Sequence, residues 1–126
     1  MMRKQYNLRK SEQGLKALDV HRLIELSKDL PVKNVLLSDI KEVNEPYWFE
    51  HNTNLPTCAD VLNHMKLVQE ADLKYPIILC SDGRLMDGMH RVIKALLEGH
   101  LEIQAIRFES TPEPDFINIP VDDLPY

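Results

Sequence analysis

The chain is poor in the residues that announce a fold by themselves. Among its 126 residues there are two cysteines, Cys58 and Cys80, four glycines and one tryptophan. Two cysteines without an export signal read as reduced thiols and exclude a disulfide framework. No apolar run approaches the ~20 residues that a membrane-spanning helix needs. The basic opening stretch "MMRKQYNLRK" leads into no hydrophobic segment, so it does not read as a secretory signal, and a cytoplasmic location without membrane contact is expected. Internal repeats, low-complexity tracts, a Gly-rich Walker loop, a nucleophile elbow and a Cys-rich zinc pattern are all missing.

What is present is the balance of a globular domain, 44% hydrophobic and 28% charged residues. Charge is unevenly placed. Residues 109–126 carry Glu109, Glu113, Asp115, Asp122 and Asp123 and no Lys or Arg, which accounts for the whole net charge of −5. Arg3, Lys4, Arg9, Lys10, Lys16 and Arg22 oppose only Glu12 and Asp19 at the other end. Such an arm can touch nucleic acid, but the whole-chain charge opposes that partner, and the acidic tail is an available neighbour for it.

Periodicity supplies the elements. Asp19 is placed to cap a helix over 20–29 that Pro31 closes. "VKNVLL" reads as a strand and Ser38-Asp39 as a turn. The aperiodic "EVNEPYWFEHNTNLP" reads as a long loop whose rings Tyr47, Trp48 and Phe49 either plug the edge of the core or stack on a partner. Thr57 heads a second helix with Val61, Leu62, Met65 and Val68 as its apolar side. "YPIILC" is a buried strand, "SDGR" a tight turn, "LM" a short return strand and "LEIQAIRF" a half-buried strand. Between the last two, a helix from Gly88 has Met89, Val92, Ile93, Leu96 and Leu97 on one face and ends at Gly99. The expected fold is α+β, a small mixed β-sheet packed with helices. Residues 1–31 form an N-terminal helical extension, 32–108 the domain, and 109–126 an extended, acidic, Pro-rich tail packed on it.

The segment "MDGMHRV" is where chemistry is expected. The helix's apolar face is set by Met89, Val92 and Ile93, so His90 and Arg91 point off it in the first turn, where backbone N–H groups lack helical partners and favour an anion. Gly88 permits close backbone approach. Arg91 offers a planar fork for phosphate oxygens, and His90 can bind or move a proton near neutrality. Asp87 can cap the helix, hold a metal ion or orient His90. The plainer alternative is a capping Asp87 beside solvated His90 and Arg91.

The order in "YPIILCSDGRLMDGMHRVIKALLEGHLEIQAIRF", together with the upstream "VKNVLLSDI", resembles the ParB/sulfiredoxin superfamily over about residues 32–108. That resemblance implies nucleotide phosphates on Gly88, His90 and Arg91, with ATP or another nucleoside phosphate as cofactor and Mg²⁺ on Asp87. Sulfiredoxins place their reactive cysteine where Met89 stands, so sulfiredoxin activity is not expected. Partition-type members continue into a helix-turn-helix and a dimerisation segment, where this chain has its acidic tail, so a centromere-binding role is not expected either. Single-domain relatives act as free-serine kinases or are called nucleases, and the kinases use an acid from the loop after the first strand, for which Glu42 and Glu45 are candidates. The catalytic set is therefore His90, Asp87 and Glu45. The expected function is a nucleotide-binding protein, a phosphotransferase or nucleotide hydrolase. The alternatives are a non-catalytic nucleotide- or protein-binding module and a ParB-like nuclease. Nothing in the sequence sets the oligomeric state.

Elsewhere, His51 and His64 show no metal spacing. Asp60 and His64 stand i, i+4 and read as a capping Asp with a surface His. Cys80 reads as a small buried hydrophobe and Cys58 as an unreactive thiol near a helix start.

Overall fold

A computed structural model describes residues 4–50 and 54–126, and His51 lies outside the described residues. A hairpin comes first, β1 (Tyr6–Arg9) and β2 (Lys16–Asp19), followed by α1 (Val20–Ser27) and β3 (Val32–Leu36). Two 3-10 turns, Leu37–Asp39 and Lys41–Asn44, lead into the loop before α2 (Cys58–Glu70). Then come β4 (Ile77–Leu79), β5 (Leu85–Asp87), α3 (Met89–Leu97), β6 (Glu102–Arg107) and β7 (Phe116–Ile117).

The strands form a four-stranded sheet in the order β3-β6-β4-β5 and a three-stranded sheet β1-β2-β7. In the larger sheet β4 runs parallel to β6 and the other pairs are antiparallel, so it is mixed. The protein is an α+β fold in which helices cover a small mixed sheet, as the element order implies. "YPIILC" reads as continuously apolar because both of its faces are covered. Alternation sends Ile77 and Leu79 toward α3, where Met89, Val92 and Ala95 meet them. Ile78 and Cys80 go to the opposite face, against Leu18 of β2 and Leu23 of α1.

That second face revises the reading of residues 1–31 as a helical extension. The segment opens with the β1–β2 hairpin, and its Leu18 and Leu23 share a core cluster with Ile78, Met86 and Phe108. The strands escape a periodicity argument because each has four residues and three of those eight, Arg9, Lys16 and Asp19, are charged. Asp19 caps α1 through its carboxylate on the His21 N–H at 2.9 Å. Burial pushes that carboxyl up, but its bond from Lys4 at 2.5 Å and the His21 amide outweigh this and hold it below its ordinary value.

The acidic tail also does more than lie on the surface. β7 pairs with β2, and Leu124 is buried. Arg22 bridges Asp115 at 3.2 Å and donates to the Glu113 carbonyl, which joins the basic arm to the tail.

Two helices bury less than their patterns suggest. Of the α2 stripe only Val68 is buried, while Val61, Leu62 and Met65 stay exposed. In α3 the buried side is Met89, Val92 and Ala95, with Leu96 and Leu97 exposed. α3 ends in a Schellman motif at Gly99, with the His100 N–H on the Ala95 carbonyl at 3.0 Å and the Gly99 N–H on Leu96 at 3.1 Å.

Candidate functional site

The "SDGR" turn closes the β4–β5 hairpin, with the Cys80 N–H bonded to the Arg84 carbonyl at 2.8 Å. Three residues of β5 then deliver the chain to Gly88, which is the N-cap of α3 at φ +115°. Glycine is demanded here twice over. The left-handed φ disfavours any side chain, and a Cβ would lie 2.6 Å from the Ile77 side chain. The first turn of α3 thus opens against β4, in the wall of a cleft of about 1800 Å³ between the β1–β2 hairpin and the β5–α3 turn.

Arg91 leaves that turn in an unexpected direction. Its guanidinium donates to the carbonyls of Tyr75 at 3.0 Å and Pro76 at 2.9 Å and to Asp87 Oδ2 at 2.7 Å. Both members of the Asp87–Arg91 pair are largely buried. Position 87, at the end of β5, faces position 91 one helical turn on, and the chain entering β4 supplies the two carbonyls. Arg91 therefore braces the β5–α3 turn to the start of β4. Asp87 neither caps the helix, since the cap is Gly88, nor keeps Oδ2 for a metal ion.

His90 meets a partner that sequence reasoning treated as surface. Its Nε2 lies 2.9 Å from Nδ1 of His64 on α2. Trp48 stacks over both imidazoles, at 4.2 Å and 10° for His64 and 4.8 Å and 18° for His90. Phe49 closes edge-on against Trp48 and His64. A bond between two imidazole nitrogens needs one donor and one acceptor, so at least one ring nitrogen of the pair is unprotonated. Trp48 Nε1 is buried without a hydrogen-bond partner among the described residues. Asp60 is not part of this cluster. It forms a capping box with Thr57, at 2.8 and 3.1 Å, which accounts for its position four residues before His64. Tyr47 and Trp48 pack against the main core cluster, which is the edge-plugging role expected of this loop, and Trp48 with Phe49 also covers the histidine pair, a task the sequence did not signal. Nothing local signals the cluster, because it joins a loop and two helices.

The two acids after β3 part ways. Glu45 binds Arg84 through both oxygens, at 2.7 and 3.0 Å, and the Arg84 guanidinium holds its carboxyl below the usual carboxylate range. Its bonds therefore run to the β4–β5 turn and not to His90. Glu42 is 3% exposed and its Oε2 accepts the Leu85 N–H at 2.5 Å, with Arg84 Nε at 3.3 Å. Asn7 donates to the carbonyl of the same Leu85 at 3.4 Å. β5 is a sheet edge, and these two side chains occupy the backbone groups that another strand would take. Tyr47 stands among them. Burial pushes its hydroxyl far above its ordinary range, and the charges of Asp87 and Glu42 add to the effect.

No family model, curated protein or solved structure matches this chain. Its chemistry rests on its own geometry. Among the described residues no group of three or more His, Cys, Asp or Glu side chains is placed to hold a metal ion. Cys80 is fully buried, as expected, yet it is not an ordinary thiol. Burial pushes it up, while the Arg9 side chain and the amides of Asp82 and Arg84 pull it below its usual value. Cys58 is exposed at the first position of α2. The arrangement can present an anion to the first-turn amides of α3 and exchange a proton through the His64–His90 pair.

Proposed function

We propose that the cleft binds a phosphate-bearing ligand over the first turn of α3, with His90 as its side-chain contact and His64 as the proton partner of His90. The observation that carries this reading is the left-handed Gly88 cap, which opens α3 into the wall of the cleft beside a paired histidine. The resemblance to ParB/sulfiredoxin proteins makes a nucleotide such as ATP, accompanied by Mg²⁺, the ligand class to test first. In this reading Arg91 serves by holding the turn rather than by touching phosphate.

Whether a reaction follows depends on a free general base. Asp87, Glu42 and Glu45 are engaged with Arg91, the Leu85 amide and Arg84. Their engagement favours a non-catalytic binding module over a phosphotransferase or hydrolase that uses Asp87 and Glu45. The test is thermal denaturation with ATP, ADP, CTP, GTP and inorganic phosphate, with and without Mg²⁺. A ligand at a hundredfold excess over its Kd adds about 2.7 kcal/mol. Unchanged melting with every ligand refutes the reading. Binding with slow loss of the terminal phosphate, abolished in His90→Ala, restores the enzymatic one.

A further inference from the structure

Two cations face one another in the cleft with no acid between them. Arg9 of β1 and Lys16 of β2 stand directly opposite in the antiparallel ladder, so their side chains share one face of the hairpin. That face is turned to β5, because Asn7, two residues before Arg9, donates to the Leu85 carbonyl at 3.4 Å. Both cations line the cleft and both are half-buried. Asn7 also accepts from Arg9 Nε at 2.7 Å, which fixes the direction of the guanidinium. Among the described residues neither Arg9 nor Lys16 has a carboxylate partner. The other described arginines, Arg22, Arg84, Arg91 and Arg107, each bind a carboxylate or a backbone carbonyl. Glu42 and Asp87 line the same cleft, but they are engaged with the Leu85 amide, Arg84 and Arg91. Like charges set opposite across a ladder repel, and a bound anion would relieve that repulsion.

We propose that Arg9 and Lys16 form an anion subsite, which takes a second phosphate group of the ligand across the cleft from the first turn of α3. The inference rests on the reading of the cleft as a phosphate site and narrows its ligand to a compound with more than one anionic group, such as a nucleoside polyphosphate. The planar fork of Arg9 matches two phosphate oxygens, and Lys16 adds a point charge beside it. Arg91 cannot fill that role while it braces the turn. Tyr47 links the two walls. Its hydroxyl feels the charges of both Arg9 and Asp87, so the hairpin cations and the turn before α3 stand around the same ring.

Titration calorimetry of the full chain with ATP and with inorganic pyrophosphate, at fixed ionic strength, tests it. Arg9→Gln should weaken both ligands by about tenfold to a hundredfold, and Lys16→Gln by about tenfold. Lys33→Gln makes the same charge change on the exposed β3 and should leave both affinities as they are. Without ligand, the two cleft variants should melt no lower than the unaltered chain, since each removes a repulsion. A loss confined to ATP would set Arg9 against the base and overturn the anion subsite. Binding that is lost in His90→Ala but intact in Arg9→Gln and Lys16→Gln overturns this inference and leaves the phosphate reading standing. The reverse pattern keeps the subsite and removes His90 from the ligand. An unaltered chain that binds neither ligand overturns both.

Discussion

Glu42 and Gly88 show how much a single residue carries in this fold. Glu42 stands 3% exposed against the Leu85 amide, doing the work of a neighbouring strand. Replacing it with alanine strands that N–H and removes a partner of Arg84. The expected loss is about 2–4 kcal/mol of unfolding free energy, read by urea denaturation. Gly88→Ala should cost about 1–3 kcal/mol through its left-handed φ alone, and more from the contact with Ile77. Both substitutions act on stability before they act on any ligand, so binding must be measured well below their melting temperatures. Acid should also destabilise the protein. Asp19 and Glu45 both titrate below their unfolded values, so their contributions are complete above the ordinary carboxylate range. These contributions fade as pH falls through that range toward the lowered folded values. Melting curves across mildly to strongly acid buffers should show that loss, and it should shrink when Asp19 is replaced by asparagine.

At the scale of elements, α2 and α3 are joined more by polar bonds and rings than by a broad apolar seam. Lys94 of α3 donates to the carbonyls of Gln69 and Ala71, at 3.0 and 2.6 Å, while His90 meets His64 at the opposite end of the contact. The N-terminus of α2 is held by its capping box, and Thr57→Ala should cost about 1 kcal/mol in thermal unfolding. Trp48 is the chain's one tryptophan and lies flat on both imidazoles. His64→Ala removes one of the two stacked rings, so the tryptophan emission should change even if the melting temperature hardly moves. An unchanged spectrum would show that the stack is not populated in solution. Element types were legible along the chain. Which face of each element was buried was not. The Val61, Leu62 and Met65 stripe has helical spacing whether it meets a core or water, and spacing cannot tell the two apart.

At the scale of the whole molecule, the two chain ends belong to one small sheet. β7 hydrogen-bonds β2, Arg22 reaches Asp115, and Tyr6 packs edge-on against both Phe116 and Tyr126. Deleting residues 114–126 removes β7 and the buried Leu124. That side chain alone is worth about 1.5–3 kcal/mol, so the truncated chain should melt markedly lower. Local pattern determined the capping residues Asp19 and Thr57, the apolar strand "YPIILC", the glycine turns and the α+β class, since each depends on residues close in sequence. Only the tertiary structure decided that Arg91 braces the turn, that Glu42 covers a sheet edge and that His64 pairs with His90 beneath Trp48. Each of those contacts joins elements far apart along the chain, and no local propensity encodes which of them will meet.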